Sequence, residues 1–246
     1  MPTIALSSLD GADGFRIDGV NSADQSGYSV ANAGDVNGDG FEDVIVGAFG
    51  ADANGTQSGE SYVIFGKASG FAAAIDLGAL NGADGFRIAG ISPGDESGRS
   101  VASAGDVNGD GYADIVIGAF KADTPDGADA GESYVIFGQA APFDAVLDLF
   151  FLNGQNGFRL NGVAASDKSG VAVSGAGDVN GDGLDDILIG AFGASPDGRV
   201  GAGESYVVFG RTGGFTSQMD LADLDGTDGF RVIGAKESDT SGVSVS

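Results

Sequence analysis

Three nine-residue segments place oxygen-bearing side chains at a fixed spacing. They begin at Asp35, Asp106 and Asp178 and read DVNGDGFED, DVNGDGYAD and DVNGDGLDD. Each has side-chain oxygens at positions 1, 3, 5 and 9 and glycine at positions 4 and 6. A hard cation such as Ca²⁺ takes about six to eight oxygen ligands, which alternate residues of a tightly turning loop can supply. The chemistry that these residues favour is calcium binding.

Two alternatives compete with a calcium loop between strands. A true EF-hand needs glutamate at position 12 and a helix on each side, but position 12 is Val46, Ile117 or Ile189. The residues there read VIVGAF, IVIGAF and ILIGAF, and such β-branched, glycine-bounded runs indicate strands. The other alternative is a polar turn of Asp, Asn and Gly that binds no metal. Three copies in one register favour the calcium loop over that turn.

Composition excludes several classes of site and partner. The 246 residues carry a formal charge of −25 and contain no Cys, His or Trp. Disulfides, thiolate or imidazole zinc sites and histidine-based catalysis are therefore excluded. The acidic balance argues against nucleic acid and anionic membranes, since both need basic patches. We find no apolar run near membrane-spanning length and no signal peptide, so we predict no membrane insertion.

The chain repeats itself with a period of 71 or 72 residues. The motifs GFRIDG, GFRIAG, GFRLNG and GFRVIG begin at Gly14, Gly85, Gly157 and Gly229. Each full period predicts four strands, which in the first copy are A (28–33), B (43–48), C (60–65) and D (86–89). A connection, 66–85, joins C to D and carries the apolar residues Phe71, Ile75, Leu77 and Leu80. The acidic loop lies between strands A and B.

Repeated four-stranded units predict an all-β fold of β-propeller blades, favoured over a linear solenoid. We expect strand D of a preceding blade in 1–26, complete blades in 27–97, 98–169 and 170–241, and the start of another in 242–246. Ile4, Leu6 and Leu9 match Ile75, Leu77 and Leu80, so the chain opens inside a C-to-D connection. We therefore expect part of a larger propeller.

The run SGYSVANAGDVNGDGFEDVIVGAFGADANG, followed by SGESYVIFG, resembles the FG-GAP repeat. That repeat is the blade unit of the integrin α-subunit propeller and also occurs in bacterial surface or secreted proteins. The resemblance implies that these loops bind about three Ca²⁺ ions. The side-chain ligands it implies are Asp35, Asn37, Asp39 and Asp43, then Asp106, Asn108, Asp110 and Asp114, and then Asp178, Asn180, Asp182 and Asp186. By analogy with the EF-hand loop, position 7, which is Phe41, Tyr112 or Leu184, is expected to give its backbone carbonyl. The family's FG is SG here and its GAP is GAF.

The function expected from this resemblance is an extracellular or cell-surface adhesion module in which calcium is structural. Its partner would be a protein or glycan ligand at the loop rim, or further blades of the same parent chain. Any export signal would lie outside this segment. We expect no enzymatic activity. The alternative is a non-catalytic propeller attached to a secreted hydrolase or phospholipase-type enzyme.

Other residues recur once per period, and we expect structural roles for them. An arginine in the GFR strand is expected to pair with an acidic neighbour rather than to bind an anion. An aspartate before SG is expected to cap a turn, and a tyrosine in strand C is expected to pack inside the blade. These residues are Arg16, Arg87, Arg159 and Arg231; Asp24, Asp95, Asp167 and Asp239; and Tyr62, Tyr134 and Tyr206.

Overall fold

The computed structural model describes residues 8–140 and 142–246, which form strands joined by turns and 3₁₀ turns. The strands in chain order are β1 (Arg16–Asp18), β2 (Ser29–Gly34), β3 (Asp43–Ala48), β4 (Glu60–Ile64), β5 (Ala74–Asp76), β6 (Gly85–Ala89), β7 (Ser100–Gly105), β8 (Asp114–Ala119), β9 (Glu132–Ile136), β10 (Val146–Asp148), β11 (Gly157–Asn161), β12 (Ala172–Gly177), β13 (Asp186–Ala191), β14 (Glu204–Val208), β15 (Gln218–Asp220) and β16 (Gly229–Ile233). The predicted matches of Ile4 and Leu6 lie outside the described residues.

Three antiparallel meanders form the blades, as the repeat predicts. The A, B, C and D strands are β2, β3, β4 and β6 in the first blade, β7, β8, β9 and β11 in the second, and β12, β13, β14 and β16 in the third. In the first blade strand B has the predicted bounds, strands C and D differ from prediction by one residue at one end, and strand A is shifted by one residue at both ends. The all-β fold of propeller blades is confirmed.

In the second blade strand B is apolar at successive positions because a neighbouring blade covers each of its faces. One buried cluster joins Ile45 and Phe86 of the first blade to Val101 and Ile117 of the second. A second cluster joins the second blade to the third in the same way. The blades therefore stack face to face, and each interior sheet is buried on both sides.

Two of the sheets contain a fifth strand that the four-strand prediction missed. In each C-to-D connection, β5, β10 or β15 pairs in parallel with β1, β6 or β11 of the preceding repeat. A 3₁₀ turn follows each of these short strands and buries one leucine; the three are Leu77, Leu149 and Leu221. Each C-to-D connection therefore supplies a strand that pairs with the D strand of the preceding repeat.

Near both ends of the described residues the repeat continues in part, and the predicted domain bounds stay a prediction. β1 carries the GFR motif and pairs with β5, in the place that a D strand takes in the later repeats. Residues 242–246 form a turn and bends and contain no strand. In the first two blades strand A pairs with strand B.

Candidate metal centre

All fifteen predicted ligand residues lie at equivalent places, where an acidic loop joins strands A and B of each blade. A β-bulge at the end of strand A leads into each loop, and in the first blade it lies between Asn32 and Gly34. Gly34, Gly38 and Gly40 have φ values of +78°, +73° and +87°, which L-residues rarely adopt. The spacing of the glycines thus produces the tight turn that brings the oxygens together.

The loop side chains accept hydrogen bonds from the loop's own backbone. Asp35 accepts from the N–H of Asp39 at 3.0 Å and of Gly40 at 2.9 Å. Asn37 accepts from Asp39, and Asp39 accepts from Phe41, both at 2.9 Å. The same bonds recur in the second and third loops. The backbone of one tight turn therefore holds the side chains at positions 1, 3 and 5.

The aspartate at position 9 is buried and ties the loop to the end of strand C. Asp43 accepts from the N–H of Val36 at 2.9 Å and from that of Gly66 at 2.8 Å. Asp114 and Asp186 make the equivalent pairs of bonds. Burial raises the pKa of Asp43 to about 6 and that of Asp114 to about 8, while the backbone bonds oppose this rise. The carboxylate form is therefore costly unless a positive charge compensates it.

The donor set fits a hard cation, although the ligands are not already gathered around one point. Within residues 8–140 and 142–246 no group of three or more Asp, Glu, His or Cys side chains is arranged to hold a metal ion. Each loop offers three carboxylates, one amide oxygen and a backbone carbonyl, which are the ligand types that Ca²⁺ prefers. In the second and third loops one oxygen of the position-1 aspartate accepts from two backbone N–H groups, whereas its other oxygen accepts from one and keeps a lone pair. Calcium binding by these fifteen residues stays a prediction.

The first two loops are hydrogen-bonded to the following blade. The carbonyl of Asp35 accepts from Ala113 at 3.1 Å, and that of Val36 accepts from Gln139 at 3.0 Å. The second loop bonds to the third blade through the corresponding carbonyls, from Asp185 to Asp106 at 3.2 Å and from Arg211 to Val107 at 2.9 Å. Tyr112 of the second loop also packs over Gly38 of the first. These loops are thus parts of the junctions between blades.

The other recurrent residues have structural roles, as predicted. Arg87 forms an ion pair with Glu60 at 3.0 Å, and the buried Tyr62 donates its hydroxyl hydrogen bond to the same glutamate. Equivalent trios recur in the next two blades, comprising Glu132, Tyr134 and Arg159, and Glu204, Tyr206 and Arg231. In β1, Arg16 pairs with Asp18. Sequence reasoning missed these buried glutamates, although each recurs two residues before the tyrosine.

The aspartates before SG cap turns, as predicted. Each accepts a hydrogen bond from the backbone N–H three residues earlier: Asp24 from Asn21, Asp95 from Ser92, Asp167 from Ala164 and Asp239 from Lys236. Asp24, Asp95 and Asp167 are buried. These aspartates recur because the same turn recurs between blades, and their recurrence does not indicate a metal site.

Comparison with known proteins identifies the repeat. The family profile of the FG-GAP repeat matches residues 26–64, 97–136 and 169–208, which contain strands A to C of the three blades with their acidic loops. The chain is an FG-GAP repeat protein. The matched segments leave out strand D and the C-to-D connection that supplies the fifth strand.

The FG-GAP chain is also similar to integrin α subunits. It is 30% identical to chicken integrin alpha-V over 186 residues, covering 73% of this chain and 16% of that protein. It is 31% identical to mouse integrin alpha-IIb over 191 residues, with the same coverage, and 40% identical to human integrin alpha-6 over 86 residues, covering 35% and 7%. It spans about a sixth of the length of the first two relatives. The fold is thus an integrin α-like propeller.

The part of the chain that the structure describes contains no helix of the length and apolarity that a membrane crossing requires.

Proposed function

We propose that this FG-GAP chain is an extracellular, calcium-stabilised propeller module that takes part in adhesion by binding a protein or glycan ligand. One observation carries the proposal: the oxygen-rich loop recurs in all three blades, and in the first two it is hydrogen-bonded to the next blade. An ion that orders such a loop would also order a junction between blades.

The predicted ligands in each loop are the side chains at positions 1, 3, 5 and 9 and the backbone carbonyl at position 7. The three carboxylates of one loop repel one another, and the position-9 carboxylate is buried. Calcium supplies two positive charges that relieve both costs, so binding would stabilise the folded chain. The proposed role of the ion is structural: together with the loop residues that bind it, the ion would hold the connection between strands A and B in place.

The proposed location and partner rest on analogy with other calcium-binding modules and with the relatives of this chain. Calcium modules of modest affinity fill where the ion is about millimolar, which is outside the cell. The relatives are integrin α subunits. Loops on a rigid β scaffold are where ligands commonly bind. We therefore place the module at the cell surface or in the medium, with its ligand at the loop rim. That it is not an enzyme stays a prediction.

The calcium proposal is tested by melting the protein with excess EDTA and then with excess calcium. We expect the melting temperature to fall by many degrees on chelation and to recover with calcium, since the ion binds only the folded state. Calorimetric titration of the apoprotein should give about three binding equivalents. An identical melting curve in both buffers would contradict the proposal.

A matched pair of substitutions locates the site. Asp110→Asn removes a predicted ligand charge from the second loop, whereas Asp126→Asn removes the same charge from an exposed turn outside the loops. We expect the first variant to lose one binding equivalent and the second to retain all. Equal titration curves for the two variants would assign binding to general surface charge instead.

A further inference from the structure

A cavity beside β10 differs from the equivalent places in the other repeats. Its volume is about 330 Å³, and β10 is the edge strand of the sheet that contains the first blade. Phe86 of the first blade and Phe137 of the second both line it. The cavity therefore lies at the junction between two complete blades. We call it the edge cavity.

One wall of the edge cavity is the ring of Phe143, which recurs once per repeat. Its equivalents, one period away on each side, are Phe71 and Phe215. Phe143 is buried and stacks on Phe86 with ring centroids 4.7 Å apart, and Phe215 stacks on Phe158 in the same way at 4.1 Å. One face of the ring is thus covered in both repeats, so any further contact must be made with the other face.

In the first and third repeats a basic side chain of the same repeat lies over this ring. The ammonium group of Lys67 lies 5.2 Å from the ring centroid of Phe71. The guanidinium group of Arg211 lies 4.4 Å from the ring centroid of Phe215. Both distances are within the range of about 6 Å in which an aromatic ring attracts a cation. The place beside the ring therefore accommodates a long cationic side chain in two of the three repeats.

The second repeat has glutamine at the position of that basic residue. Gln139 stands where the other repeats have Lys67 and Arg211. The backbone is held in the same way, since Gln139 donates to the carbonyl of Val36 at 3.0 Å and Arg211 to that of Val107 at 2.9 Å. Among the described residues, no lysine or arginine lies over the ring of the edge cavity. The change of side chain thus leaves the second face of the ring accessible from the cavity.

Two further differences make the edge cavity more acidic and larger than its counterpart in the first repeat. Asp144 stands in place of Ala72. Phe151 stands in place of Ala79 and adds a second aromatic wall, and the volume is about 330 Å³ instead of about 180 Å³. Asp148 also lines the edge cavity, whereas no basic residue among the described ones does. The lining is therefore complementary to a cation in both its charge and its aromatic rings.

We propose that the edge cavity binds a basic side chain of a protein partner, in the place that Lys67 and Arg211 take in the other repeats. The cationic group of the partner lies over Phe143 and pairs with Asp144. The chain thus supplies the cation itself in two repeats and takes it from a partner in the third. None of the fifteen predicted calcium ligands lines the cavity, so this inference does not rest on the calcium proposal.

The test is an NMR titration of the isotope-labelled full chain, at saturating calcium and fixed salt, with the capped peptide Ala-Arg-Ala. The comparison peptide carries citrulline, which has nearly the shape of arginine but no charge. We expect the arginine peptide to shift the side-chain amide signals of Gln139 and Asn156, both of which line the cavity. The citrulline peptide should bind at least about tenfold more weakly, because it loses the attraction of the ring and the carboxylate for a cation.

Three variants that each make the net charge less negative by one unit locate the site. Gln139→Arg places a guanidinium group over the ring, as Arg211 does in the third repeat, and should weaken binding of the arginine peptide at least about tenfold. Asp144→Ala introduces the residue that the first repeat has at this position, and it should also weaken binding. Asp126→Asn changes an exposed turn outside the cavity and should bind the peptide as the wild type does.

The outcomes separate a specific site from general attraction to an acidic surface. Equal binding of the arginine and citrulline peptides overturns the proposal. So do shifts that are spread over the acidic surface and leave the Gln139 and Asn156 signals unchanged. A folded Gln139→Arg variant that binds as tightly as Asp126→Asn overturns it as well, and if Gln139→Arg does not fold, Asp144→Ala makes the same comparison. Because calcium is constant throughout, failure of the calcium proposal would appear in the EDTA melting curves and not in this titration.

Discussion

At the scale of single residues, the acidic residues described above fall into three groups with different roles. In each acidic loop the aspartates at positions 1 and 5 lie in the tight turn, whereas the aspartate at position 9 is buried. The glutamates that precede strand-C tyrosines are buried and neutralised by an arginine, as Glu60 is by Arg87. Of the aspartates that cap turns, Asp24, Asp95 and Asp167 are buried, and among the described residues none of the three has an ion pair.

We expect one of the turn aspartates, Asp95, to make stability depend on pH. Burial raises the pKa of Asp95 to about 6, whereas an unfolded aspartate titrates near 3.9. The folded state therefore binds more protons between these values. The stability that Asp95 contributes is fully present below about pH 4 and is lost as the pH rises through about 6. We expect Asp95→Asn, which keeps an oxygen to accept from Ser92, to flatten this fall in urea titrations at fixed calcium concentration.

The control for this pH dependence is Asp126→Asn, which removes an equal charge from an exposed turn. It should leave the slope of stability against pH unchanged between pH 4 and 7. If both variants flatten the slope equally, the cause is the overall net charge and not the burial of Asp95.

At the scale of elements, the parallel fifth strand explains why the period exceeds four strands and their turns. β10 and the 3₁₀ turn after it belong by sequence to the second repeat and by hydrogen bonding to the first blade. Asp148 caps this turn by accepting from Phe150 at 2.9 Å, and Leu149 is inserted into the core. The connection is therefore a packed element of the preceding blade.

Adjacent residues of this turn provide a matched test. Leu149 is buried and Phe150 is exposed, although they are neighbours in sequence. We expect Leu149→Ala to lower the free energy of unfolding by about 2–5 kcal/mol, as cavity-forming substitutions do. Phe150→Ala should change it by less than about 0.5 kcal/mol. Chemical denaturation measures both. A similar loss in the two variants would mean that this turn does not anchor the connection.

The sequence predicted the A to D strands well and the fifth strand not at all. Val44, Ile45 and Val46 form an apolar run bounded by an acidic loop and Gly47, which is a strong local signal. Ala74–Asp76 has only three residues, and its partner lies in the preceding repeat, so no local pattern identifies it. Ile75, Leu147 and Met219 recur at one period and were the available signal. The positions of the loop residues followed from their spacing, but their hydrogen bonds to the next blade depend on packing that spacing does not encode.

At the scale of the whole molecule, blades approach one another through glycines. A Cβ built on Gly118 would lie 1.9 Å from the carbonyl oxygen of Gly170 in the third blade. At the first junction, a Cβ built on Gly47 would likewise lie 1.9 Å from the carbonyl oxygen of Gly98. The close approach of backbones at each junction therefore depends on the absence of one side chain from strand B.

A substitution of Gly118 tests this close approach. We expect Gly118→Ala to lower the free energy of unfolding by about 1–3 kcal/mol or more, because backbone must move to admit the methyl group. Gly213 has nothing within 4 Å and no unusual φ, so Gly213→Ala serves as the control and should be neutral or slightly stabilising. Thermal melting at fixed calcium compares them. Equal melting temperatures would mean that the junction readily adapts.

β10 and β15 each pair with a strand of the preceding repeat, and this pairing limits how such a chain can change in length. Each internal repeat gives one strand and receives one, so the duplication or loss of one whole period leaves every remaining junction with its full set of strands. The cut can fall anywhere within the period for this to hold. A deletion that removes only some of the strands of one period would leave one sheet edge unfilled. Gene-level growth of this array is therefore expected in steps of 71 or 72 residues.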